Sequence, residues 1–172
     1  TKIISNTIND IENQIGGTIN YYNIIDNFSK FLNTYYERFI PYEIINDKII
    51  IEKDQYVRNI ASIYDILNNN ININSNILSN IQENLDYYVT LYNTNNEKLR
   101  QASGFLALCL QIIDNNKYKK IINNIIKNLY QNIDNLEEKF ELGEVLMALS
   151  ILDRKPEIIN LKIYKFTDIL ST

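Results

Sequence analysis

The chain has 172 residues, an apolar fraction of 45% and a formal charge of −4, which fits one domain with a core large enough to fold without staples. It has no His and one Cys, so it offers no Ser–His or Cys–His nucleophile pair, no histidine general base and no disulfide within the chain. Zinc sites built on Cys and His are excluded by count, and the acidic balance argues against general nucleic-acid binding.

Thirty-three residues are Ile and 28 are Asn, against three Val. Codons for Ile, Asn, Lys and Tyr are AT-rich, so an AT-rich genome is expected. Both residues are mediocre helix formers, and periodicity therefore carries the reading. Ile3, Ile4, Ile8, Ile11 and Ile15 predict a first helix, closed by Gly16-Gly17. Thr18 to Phe39 predicts a second, with Ile25, Phe28, Phe31, Leu32 and Tyr35 on one stripe. It stops before Pro41, because a residue preceding proline is pushed out of the α region. Residues 43–51 carry two β-branched pieces around Asn46-Asp47 and predict a short hairpin.

Helices follow from about Asp54 (as N-cap) to Asn69, and from Ser75 (as cap) to Tyr92. Glu97 to Ile113 is apolar almost all round in its second half, the mark of a central buried helix. Cys109 falls in that run and reads as a core thiol. Asp114-Asn115-Asn116 predicts a turn, then come helices over 117–130, 136–152 and 156–170, the last opened by Pro156. The fold class is thus all-α: antiparallel helical hairpins, about eight helices, with one β-hairpin near 43–51. The expected organisation is a single domain over 1–172, with N-terminal helices over 1–41, the hairpin over 42–53 and helical-hairpin repeats over 54–172.

The repeat is read from Arg58 to Leu67, Arg100 to Leu110 and Gly143 to Leu152. Each is an apolar helix with small residues, then a polar turn and a more amphipathic helix, with a period of roughly 41–43 residues. Equivalent helix starts would bring Tyr56, Arg58, Lys98, Arg100 and Glu144 to one rim, with Glu141 beside them. There, arginines could hold a carboxylate or phosphate by bidentate hydrogen bonds. The acid pairs Glu83/Asp86 and Glu141/Glu144 share helix faces and read as solvated surfaces rather than catalytic dyads. No catalytic or metal residues and no cofactor are expected, because a glycine-rich phosphate loop is also missing: the glycines are Gly16, Gly17, Gly104 and Gly143.

The hairpin at 43–51, the Arg-x-x-Ala/Ser stretches at Arg58 and Arg100, and the Leu-Gly-x-x-Leu-x-Ala-Leu stretch at 142–149 resemble the α/α-toroid families of carbohydrate-processing enzymes. That resemblance implies a sugar site at the Arg58/Arg100/Glu144 rim. The chain departs from it in its length and in lacking Trp and His. The central apolar helix flanked by amphipathic ones is also similar to the apoptosis-regulator bundles of some poxviruses, which implies capture of a partner helix in a groove. The Trp-Gly signature of that family's cellular members is replaced here by Asp114-Asn115-Asn116.

The favoured expectation is a non-enzymatic protein-interaction or scaffold module whose partner is another protein, with no nucleic acid and no membrane span. The start, Thr1-Lys2-Ile3-Ile4, shows no secretory h-region, which favours an intracellular location. Its lack of Met is the expected mark of a processed chain.

Overall fold

The computed structural model describes residues 21–36, 39–40, 43–46, 48–51, 54–69, 71–94, 96–136 and 139–153. The helices expected over 3–15 and 156–170 lie outside them. Among the described residues there are six helices, and their bounds differ from the expected ones for local reasons. Helix α1 spans Tyr21–Tyr35 and stops short of the expected Phe39. Asn33 accepts from the Asn74 N–H at 3.1 Å, and the Ser29 hydroxyl donates to the Asn72 carbonyl, so α1 is tied to the loop at 71–74. Strands β1 (Glu43–Ile45) and β2 (Lys48–Ile50) pair antiparallel with Ile45 opposite Lys48. Asn46 takes φ 48° at the turn, a left-handed conformation that Asn tolerates better than most side chains.

Helix α2 (Tyr56–Asn68) buries Tyr56, Asn59, Ile60, Ile63 and Ile66, one face at helical spacing. Its N-cap position is Gln55, not Asp54, and no side chain caps it. The Asp54 carboxylate instead accepts from the Tyr56 phenol at 3.4 Å. Helix α3 (Ser75–Asn93) is capped by Asn74, one residue before the expected Ser75; its side chain accepts from the Ile77 N–H at 2.9 Å. Either residue type caps well, and the loop geometry places Asn74 at the non-helical position.

The helix expected over 97–113 is broken. Helix α4 (Glu97–Arg100) is a single turn capped by Asn96. The Ala102 N–H bonds the Leu99 carbonyl at 3.0 Å, which turns the chain and leaves Leu99 and Ala102 both fully buried. Helix α5 then runs Ser103–Asn132 with one non-helical residue, Asp114 (φ −163°, ψ 89°). The expected three-residue turn is therefore a one-residue kink. Asp114 caps the second arm by accepting from the Lys117 N–H at 2.9 Å, and Asn115 and Asn116 are already helical. A 3₁₀ turn, Ile133–Asn135, and helix α6, Lys139–Leu152, complete the described chain.

The first arm of α5 is the centre of the core. Leu106, Ala107, Leu108, Cys109 and Leu110 are 0–1% exposed, and α2, α3 and α6 all pack on α5. Full burial of each leucine contributes roughly 1.5–3 kcal/mol. The Cys109 thiol lies 3.6 Å from the Ile60 carbonyl. Burial pushes it well above the ordinary thiol range, which leaves it inert as a nucleophile. No described helix is long and apolar enough to cross a membrane.

Candidate binding pocket

The break at Gln101-Ala102 opens a recess beside the start of α5. Lys98 and Arg100 of α4 form one wall. Asn128 and Asn132 of α5 and Asn135 of the 3₁₀ turn form the second, and Glu141 and Val145 of α6 close the third. With Gln101, Ser103, Leu129 and Leu136 these side chains line a cavity of about 440 Å³, within the range of sites for small ligands.

Asn128, Asn132 and Asn135 follow i, i+4, i+7 spacing and so share one face. Asn128 donates to the Tyr92 phenol at 2.6 Å, and Asn132 donates to the Asn128 carbonyl at 2.8 Å, which fixes the orientation of both carboxamides. Burial raises the Tyr92 phenol, while the Asn128 hydrogen bond and the Arg100 charge lower it in part. Leu129 and Val145 are buried beneath these polar groups.

Glu144, one turn from Glu141, is not among the lining residues and is buried, not on the solvated face expected for the Glu141/Glu144 pair. It is 5% exposed, and its Oε1 accepts from the Phe105 N–H at 3.2 Å. Ala102, at the N-cap position of α5, has no side-chain oxygen with which to cap. Glu144 therefore reaches across from α6 and serves as the cap, where helix N–H groups and the dipole favour an acceptor. Burial, reinforced by the Glu141 charge, pushes its carboxyl up to about 7; the Phe105 and Gly104 N–H groups pull the other way and only partly offset this. Its Oε2 has no hydrogen-bond partner among the described residues. Gly104 makes the approach of α6 possible: a Cβ there would stand 3.0 Å from Ala148 Cβ and 3.1 Å from Glu144 Oε1.

Of the rim residues expected from sequence, Lys98 and Arg100 line the pocket, and Glu144 caps the start of α5 instead. Tyr56 and Arg58 are not among the lining residues. Tyr56 is 6% exposed and packs edge-on against Tyr88, with ring centroids 6.1 Å apart; Arg58 stands exposed on α2. Sequence reasoning missed Gln101, Ser103 and the three asparagines. Their i, i+4, i+7 spacing was the available signal, but with 28 Asn in the chain it does not stand out.

Ser103 is the one hydroxyl among the described lining residues, and no base hydrogen-bonds it among the described residues. No group of three or more acidic or Cys side chains with metal-binding geometry occurs among them either. No family model, curated protein or solved structure matches the chain.

Proposed function

We propose that the chain is a non-enzymatic protein-interaction module and that the pocket between α4, α5 and α6 receives an extended segment of a partner protein. The observation that carries this reading is the set of four carboxamides, Gln101, Asn128, Asn132 and Asn135, around an apolar floor of Leu129, Leu136 and Val145. Each carboxamide pairs a donor with an acceptor, the same pairing that a peptide group presents. An extended peptide also places alternate side chains on opposite faces, so some can reach such a floor.

The carbohydrate reading draws on the same amides, which hold hydroxyls equally well. It lacks a stacking face, because no aromatic side chain lines the pocket among the described residues. Capture of a partner helix needs an apolar groove, and this lining is mostly polar.

The test is co-isolation of a partner from the native source with the wild-type chain and with Asn132→Lys, which fills the pocket from an exposed position. A stoichiometric partner present with wild type and lost with the variant supports the reading. A partner retained by the variant removes the pocket from it. An oligosaccharide eluting in place of protein moves the assignment to the carbohydrate reading.

A further inference from the structure

We infer that the pocket is a carboxylate-recognition site, with Lys98 and Arg100 holding a single peptide carboxylate while the carboxamides hold the adjoining backbone. The inference rests on the peptide-binding reading above and names the chemical group that the pocket selects.

The charges of the lining residues carry the argument. Lys98 and Arg100 are both exposed and line the same cavity. Among the described residues neither forms an ion pair; the pairs seen are Lys30–Asp26 and Lys117–Asp86. A guanidinium presents two parallel N–H donors that match the two oxygens of a carboxylate, and an adjacent ammonium adds a point charge. Arg100 lies close enough for its charge to lower the Tyr92 phenol, whose oxygen accepts from Asn128.

Glu141 narrows the choice of anion. Among the described lining residues two cations stand against one carboxylate. A singly charged carboxylate meets less repulsion from Glu141 than a dianionic phosphate does. Glu141 is an acceptor only, so it suits a backbone N–H of the same ligand. The resulting order across the pocket is carboxylate at Lys98/Arg100, peptide groups along Asn128, Asn132 and Asn135, and a backbone N–H toward Glu141.

A peptide carboxylate has two sources, a C-terminus or an acidic side chain. Three pools of N-acetylated random hexapeptides, each with a carboxylate-free BODIPY label on a lysine side chain, separate them. One has free C-termini and no Asp or Glu. One is amidated and carries a single Glu. One is amidated and carries no acid. Binding is read by fluorescence polarisation against wild type, Lys98→Gln/Arg100→Gln and Asn132→Leu. At least one carboxylate-bearing pool should bind tenfold or more tighter than the acid-free pool, and the double variant should abolish that advantage. The pool showing it identifies the source. Equal binding of all three pools, lost in Asn132→Leu but unchanged in the double variant, overturns the carboxylate inference and leaves the peptide reading standing. Binding of none of the pools overturns both. Because Lys98 and Arg100 are exposed, the double variant should keep the wild-type melting midpoint; a lowered midpoint would show that these cations serve the fold, which also overturns the inference.

Discussion

Glu144 shows how one residue can be both useful and costly. Its carboxyl supplies the cap that Ala102 lacks, yet burial holds its pKa at about 7, above the ordinary carboxylate value. A group whose pKa is higher in the folded state binds its proton more tightly there. Its contribution to stability is full below about pH 4 and is lost as pH rises through about 7. The limit is on the order of 3 kcal/mol for a shift of this size. Urea unfolding of wild type and Glu144→Gln across pH 4 to 8 should therefore diverge with rising pH, the variant gaining relative stability and the difference levelling off above about pH 7. A difference independent of pH would show that the carboxyl is not desolvated. Gly104 is the companion case. Ala is the better helix former by about 1 kcal/mol, but the new Cβ would meet Ala148 Cβ at 3.0 Å, an atom fixed to the backbone of α6. Overpacking of this kind costs about 1–3 kcal/mol. Gly104→Ala should lower the unfolding free energy, and adding Ala148→Gly should recover part of the loss. Additive effects of the two changes would deny the contact.

At the level of elements, periodicity located the helices, while capping set their ends in ways that one-dimensional reading handled less well. The run Phe105 to Leu110 announces a buried helix because it is apolar on every side. Nothing in Gln101-Ala102 signals a break, so the sequence alone starts that helix at Glu97; the turn follows from the burial of Leu99 and Ala102 and from a cap supplied by Glu144, 39 residues beyond the Phe105 N–H from which it accepts. The cap at Asn74 in place of Ser75 is a choice between side chains of similar capping strength, and the uncapped start at Gln55 lies one residue past Asp54, within the usual fraying of a helix end. Asp114 makes this testable. Its carboxylate caps the second arm of α5, and Asn caps as well as Asp, whereas Ala does not. Asp114→Asn should leave the unfolding free energy within a few tenths of a kcal/mol, while Asp114→Ala should lower it by about 1 kcal/mol. If both variants match wild type in chemical denaturation, the side-chain cap contributes nothing, and the kink is held by packing of the two arms alone.

At the scale of the whole molecule, the candidate pocket was only half legible because its walls come from three elements whose relation is tertiary. The repeat places Lys98 and Arg100 at a helix start; the asparagines facing them carry no such signal in a chain with 28 Asn. Arg58 was grouped with Arg100 through a sequence repeat, yet in the structure it does not reach the pocket. What holds α4, α5 and α6 around that recess is the shared core, and Leu108 sits at its centre at 1% exposure. Removing its side chain should cost about 2–5 kcal/mol, the range for a leucine whose cavity cannot fully collapse. Helix α2 leans on the same arm through the Tyr64–Phe105 rings, 5.9 Å apart, and through Cys109 against Ile60. The cost should therefore appear in both elements together. In native-state hydrogen exchange, Leu108→Ala should reduce the protection free energies of the amides at 106–110 and of the buried face of α2 by the same amount. Helix α1 reaches the loop at 71–74 through Ser29 and Asn33 and buries Leu32 in the core; lying away from the first arm of α5, its amides should respond less. Protection lost at 106–110 but kept in α2 would mean that the two helices unfold as separate units, and the recess at α4 would then not depend on the core that α2 shares.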